Sequence, residues 1–290
     1  MRRFVARIIF LLTGLIVINT LFFLHRQESV SAYTKELNKQ FKFKTFLFAD
    51  SHGNCLRRDA ESFKLHSLAY SSDSYKDIVR KLEYLIDRNI DIDTLVLTVD
   101  AHTLSTYREV VNNYQYSSLL KKNNIDMYLP IFNAQYTTTL PRLAEMKAKS
   151  FLKTKETIKN PLTWADLSMS EKMTSMNGRF SRQFPQKENS VELKKDLMKI
   201  LDICKKLEIV VYGIRFPLVQ EYSVMVDQED YGAIGTFDFK HIPVLNYQNE
   251  SFPDAYFENQ DHLNLDGGLE LLKMIKRDLL KPTNISAGGF

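Results

Sequence analysis

The chain has 290 residues, with 39 Lys+Arg against 35 Asp+Glu and a formal net charge of +4. Arg2, Arg3, Arg7 and Arg26 make up the whole excess, because residues 27–290 hold 35 basic and 35 acidic residues, so the charge argues against a nucleic-acid-binding surface. A content of 44% hydrophobic and 12% aromatic residues excludes a disordered chain, Gly 10 and Pro 8 exclude collagen-like and proline-rich architectures, and two cysteines exclude a disulfide scaffold and a four-cysteine zinc site.

Residues 4–24 read FVARIIFLLTGLIVINTLFFL, about the 20 residues that a helix needs to cross a bilayer core. Arg7 lies near its start, where its head can reach the lipid headgroups. Arg2, Arg3 and Arg7 precede or open the span, and only His25 and Arg26 follow closely, so the positive-inside rule predicts a cytoplasmic N-terminus and an extracytoplasmic remainder. Cleavage after Val30-Ser31-Ala32 is the competing reading, but that tripeptide lies well past the apolar run and begins with a bulky residue, which favours an uncleaved anchor. No later segment is apolar enough to span, so a single-pass cell-membrane protein is expected, exposed to the periplasm or the cell surface. The expected parts are a tip and anchor (1–26), a polar, lysine-dotted stalk (27–43) and a single domain (44–290).

Within that domain, short apolar runs at 45–49, 64–70, 94–99, 208–214 and 242–245 read as buried strands. Helical periodicity places Ile78, Leu82, Leu85 and Ile86 on one face of 74–88. It does the same for Leu193, Leu197, Ile200, Leu201 and Cys204 in 191–207, and for Leu269, Leu272, Ile275 and Leu279 in 268–280. This alternation predicts a three-layer α/β/α fold around a five-stranded, mainly parallel sheet. Residues 107–190 interrupt it as a polar, largely helical insertion. Extended to residue 206, that stretch holds 18 basic and 10 acidic residues, whereas 207–290 holds 6 and 13. It reads either as a solvated insertion or as a basic rim that attracts an anionic glycan or lipid headgroup. Cys55 and Cys204 read as small buried residues, their pairing left open.

Ligands of open α/β sheets sit at the carboxyl ends of the strands. The first strand is followed by Asp50-Ser51-His52-Gly53-Asn54, the second by Ser71-Ser72-Asp73 and the third by Asp100-Ala101-His102. Near its end the sequence runs Phe257-Glu258-Asn259-Gln260-Asp261-His262-Leu263-Asn264 before the last helix. A serine hydroxyl needs an adjacent base, and a histidine serves once a carboxylate or amide fixes its tautomer. The plainer alternatives are a helix-capping Ser51, a backbone-bonded His262 and an exposed His52.

The order of Ser51 and His262, and their contexts FADSHG and FENQDHLNLDGG, resemble the first and last blocks of the SGNH (GDSL-like) hydrolase superfamily. Within it, the chain is most similar to bacterial polysaccharide O-acetylation proteins such as those of alginate. The resemblance implies Ser51 as nucleophile, His262 as base, Asp50 as a turn stabiliser and no cofactor or metal. It also implies an acylated cell-surface polysaccharide as substrate and, for a transferase, a membrane-bound acyl-donor protein. The family's Asp three residues before the histidine is Asn259 here, so either Asn259 or Asp261 is expected to orient His262, although consecutive side chains seldom face each other. The family's oxyanion-hole Gly and Asn are replaced, which leaves the backbone N–H groups of Ser51 and Ser72 and the imidazole of His102 as expected donors.

Two other readings stay open. A catalytically degenerate glycan-binding or assembly protein would keep the fold without the reaction. Asp50-Ser51-His52-Gly53 also resembles the first metallophosphoesterase motif, in which Asp50 and His52 would be metal ligands, but the other motifs of that family are missing from the sequence.

Overall fold

The structure, a computed structural model, describes residues 2–120, 163–185, 189–227 and 233–280. Contacts divide the chain into two units, Met1–Asn38 with Tyr114–Pro161, and Lys39–Asn113 with Leu162–Phe290.

In the first unit, helix α1 (Arg2–Thr34) continues ten residues past the apolar run, into the segment read as a stalk. Its stretch Arg2–Leu21 has a mean hydropathy of 2.2 with none of it buried, and is long and apolar enough to cross a membrane. The hydroxyls inside that stretch donate to the preceding turn, Thr13 Oγ1 to the Ile9 carbonyl (2.9 Å) and Thr20 Oγ1 to the Ile16 carbonyl (2.8 Å). Neither polar group therefore needs water. The Tyr33 and Tyr116 rings lie 5.8 Å apart.

The second unit is built on a sheet of β1 (Thr45–Phe48), β2 (His66–Ser67), β3 (Thr94–Thr98), β4 (Val210–Arg215) and β5 (Val244–Asn246), in the order β2-β1-β3-β4-β5. Every neighbouring pair is parallel, so the α/β architecture expected from the alternation is present. Successive strand residues point to opposite faces. Phe46, Leu47 and Phe48 are all buried, as are Leu95, Val96 and Leu97, so both faces of the sheet are covered.

Helix α2 (Tyr75–Asp87) opens with a capping box, in which the Ser74 N–H and hydroxyl both donate to the Asp77 carboxylate. The insertion is described over 107–120, 163–185 and 189–190; its principal element there is α3 (Met169–Gln183), and its other residues lie outside the described ones. Helix α4 (Val191–Lys206) packs against α2. Helix α5 (Leu265–Leu279) packs against a 3-10 helix at Ser51–Leu56 that follows β1.

Two differences from the sequence reading have local causes. The run at 64–70 yields only His66–Ser67 as a strand, because it forms the sheet edge and pairs on one side alone, yet Leu68 N–H still reaches the Leu47 carbonyl (2.8 Å). A small antiparallel hairpin, β6 (Phe257–Asn259) and β7 (His262–Leu263), was not foreseen; its strands are too short to show a period.

Candidate active site

The chain leaves β1 into a tight turn. Asp50 accepts the His52 backbone N–H through Oδ1 (3.0 Å), and Gly53 N–H returns to the Asp50 carbonyl (3.2 Å). A Cβ on Gly53 would stand 2.8 Å from the Cβ atoms of both Ala49 and Ala69, so only glycine fits there. The turn presents Ser51 Oγ, half-buried, 2.8 Å from His262 Nε2. Asp50 thus braces this turn through its own side chain.

His262 opens β7, and the two residues before it, Gln260 and Asp261, form the hairpin turn. Strand alternation does not apply in a turn, so the expectation that neighbouring side chains point apart fails here. Asp261 Oδ1 lies 2.9 Å from His262 Nδ1, and Asn259 Oδ1 lies 2.9 Å from the same nitrogen. The Asn259 oxygen also accepts the Asp261 backbone N–H (3.1 Å). Asn264 then caps α5, accepting N–H bonds from Asp266 (3.1 Å) and Gly267 (3.0 Å). A Cβ on Gly268 would lie 2.4 Å from the Cys55 carbonyl oxygen, so this glycine lets the helix behind the histidine reach the turn that carries the serine.

A buried layer of charge lies beneath this row. Asp261 Oδ2 accepts from Arg179 Nε (2.7 Å) and Gln183 Nε2 (3.0 Å), both on α3. His52, read from sequence as exposed, is buried instead. Its Nδ1 is 2.8 Å from Asp100 Oδ2, and its Nε2 faces Asp261 Oδ2 at 3.4 Å, a charge-pairing distance without hydrogen-bond alignment. Asp100 is held by the Phe216 backbone N–H (2.8 Å) and the Thr98 hydroxyl (3.1 Å).

Burial opposes charge throughout this layer, and the opposite charges outweigh it. His52 is held well above the ordinary imidazole range: burial lowers its pKa, but Asp50 and Asp100 overcome that. Asp261 is held well below the carboxylate range, because the bond from His262 and the charges of His262 and His52 overcome its burial. Asp50 is likewise held low against burial by His52 and His102.

His102 does not sit as the oxyanion reading requires. Its Nε2 is 2.9 Å from Asp50 Oδ2, the ring is 4% exposed, and burial lowers its pKa despite that carboxylate. Its hydrogen bond goes to Asp50, not towards an incoming carbonyl. Ser72 lies in a turn with φ 70°, and the neighbouring Ser71 Oγ accepts from Asn54 Nδ2 (2.8 Å), which ties that turn to the serine turn.

Asp50, His52 and His102 bring ligand atoms within 4.8 Å of one another, as do His52, Asp261 and His262. In both groups each histidine already has a ring nitrogen facing a carboxylate, so a cation would compete with existing pairs. Cys55 and Cys204 are free and buried, and burial pushes each thiol up to about 12, which removes Cys55 as a nucleophile.

No protein-family profile and no curated protein matches the chain. Among solved structures it is similar to a GDSL-like lipase from Bacteroides thetaiotaomicron, with 10% identity over 89% of this chain and 100% of that one and a TM-score of 0.42. It is also similar to a protein classed as an acylhydrolase from Bacteroides fragilis, with 8% identity over 87% and 94% of the two chains and a TM-score of 0.40. Likenesses this distant carry no weight for the site, which stands on its own geometry.

Sequence reasoning missed Arg179, Gln183 and the inward-facing His52. Arg179 and Gln183 lie 82 and 78 residues before Asp261, within the insertion, and no local pattern marks them.

Proposed function

We propose that the protein is a membrane-anchored serine esterase or O-acyltransferase of the SGNH type that acts on acylated cell-surface polysaccharide. The observation that carries the reading is the row Ser51 Oγ, His262 Nε2, His262 Nδ1, Asp261 Oδ1, with contacts of 2.8 and 2.9 Å. In the reaction, Ser51 Oγ attacks the acyl carbonyl as its proton passes to His262 Nε2. Collapse of the tetrahedral intermediate expels the alcohol, which takes that proton from the imidazolium. Water (esterase) or a sugar hydroxyl (transferase) then attacks the acyl-serine as His262 Nε2 takes its proton, and collapse of this second intermediate breaks the serine–acyl bond, with Ser51 Oγ taking that proton back from the imidazolium. The backbone N–H groups of Ser51 and Ser72 are the proposed oxyanion donors.

The apolar α1 and the arginines at its start support an anchor with a cytoplasmic N-terminus and an extracytoplasmic domain. The basic excess of residues 107–206 suits an anionic glycan, and a transferase in that compartment would draw acyl groups from a membrane-bound donor protein.

One observation favours a second reading, a glycan-binding protein that has lost the reaction: His102, the replacement for a family oxyanion residue, is tied to Asp50. Fluorophosphonate labelling and p-nitrophenyl acetate turnover of the full chain in detergent separate the two. The serine reading expects labelling of wild type, none of Ser51→Ala, and turnover lowered by roughly 10²–10⁴-fold in His262→Ala. If wild type labels no faster than Ser51→Ala, the degenerate reading stands.

A further inference from the structure

We infer that Arg179 is a positioning residue for Asp261: from the insertion it fixes one carboxylate oxygen, so that the other orients His262. The inference rests on the serine reading above.

His262 Nδ1 has one proton and two acceptors at the same distance, 2.9 Å. Asn259 Oδ1 already accepts the Asp261 backbone N–H, whereas Asp261 offers a full negative charge, and a bond to an ionised acceptor is the stronger one. The carboxylate therefore orients the imidazole, and the amide holds the turn. Rotation about the last bond of an aspartate has a broad, poorly defined minimum, so the side chain alone does not aim Oδ1 at its neighbour. The donors on Oδ2 do. Arg179 Nε at 2.7 Å brings both charge and direction, and Gln183 Nε2 at 3.0 Å is itself held by Tyr222, whose hydroxyl donates to Gln183 Oε1 (2.6 Å). His52 Nε2 stands by at 3.4 Å as a second positive neighbour. Asp261 is 1% exposed and Arg179 21%, so the bond between them is largely shielded from water. The insertion thereby acquires a role inside the site.

The full chain in detergent is compared as wild type, Arg179→Met, Asp261→Asn and Asn259→Ala, with labelling rate and p-nitrophenyl acetate kinetics measured across pH. Arg179→Met should lower kcat by roughly tenfold or more with KM within about twofold. The acid limb of its labelling profile should move to higher pH, because Asp261 loses one of the positive groups beside it. Arg179→Lys should recover part of kcat and of the acid limb. Asn259→Ala should stay closer to wild type than Asp261→Asn. A folded Arg179→Met with wild-type kcat and an unmoved acid limb overturns the inference, and so does an Asn259→Ala that costs more than Asp261→Asn. Where Arg179→Met does not fold, Arg179→Gln, which keeps a donor without charge, decides on the same readouts. If Ser51→Ala labels as wild type does, the serine reading fails first and takes this one with it; Arg179 variants with full activity beside an inert Ser51→Ala remove this inference alone.

Discussion

His52 follows the serine in sequence, yet its ring turns inward between Asp100 and Asp261. Its pKa in the folded chain is raised above the ordinary 6.5, so its contribution to stability is fully present below 6.5 and lost as pH rises through the higher folded value. Asp261 and Asp50 behave in the opposite sense: their depressed values contribute stability above the ordinary 3.8 and lose it as pH falls through the lower folded values. Stability should therefore hold level through the weakly acidic range and decline on the alkaline side. Chemical unfolding of wild type and His52→Gln across pH checks this. The variant should be less stable by about 3–5 kcal/mol at its worst, the cost of stripping one partner from a buried pair, and should lack the alkaline decline. An alkaline limb of equal size in both proteins would assign the decline to other groups.

At the scale of elements, two glycines make a contrast. Gly268 on α5 has the Cys55 carbonyl oxygen where its Cβ would be, whereas Gly178 on α3 has nothing within 4 Å. Gly268→Ala should cost about 1–3 kcal/mol and lower turnover with it, by pushing the helix behind His262 off the serine turn. Gly178→Ala should be neutral or stabilising by up to about 1 kcal/mol, since it removes only backbone freedom in an exposed helix. Melting temperature and p-nitrophenyl acetate turnover of both variants test the pair. The elements themselves were largely legible in the sequence. Helices expected at 74–88, 191–207 and 268–280 run Tyr75–Asp87, Val191–Lys206 and Leu265–Leu279, because an apolar stripe of period 3.6 is a local signal. The last begins early because Asn264, not a glycine, caps it. Ser51 and His262 were legible for the same reason, each next to a recognisable strand end or helix start. Arg179 was not, since its meaning lies in a partner 82 residues away, and His52 was not, since the turn of its backbone decides where its ring points.

For the whole molecule, the opening charge of +4 belongs to four arginines within α1, three of them at the start of the unburied apolar stretch Arg2–Leu21. An integral anchor should stay with membranes through alkaline carbonate extraction. With any outer membrane permeabilised and the cell membrane intact, a tag after residue 280 should be cut by added protease, while one before Met1 is protected; the reverse pattern would overturn the proposed topology. The approach of Gly268 to Cys55 also bears on how the site comes into being. Ser51 and His262 are 211 residues apart, so at 5–20 residues per second roughly 10–40 s separate their synthesis. Throughout that interval the serine is an ordinary alcohol. On the serine reading proposed above, the nascent chain is chemically silent until then, and reactivity arrives only when the last helix docks.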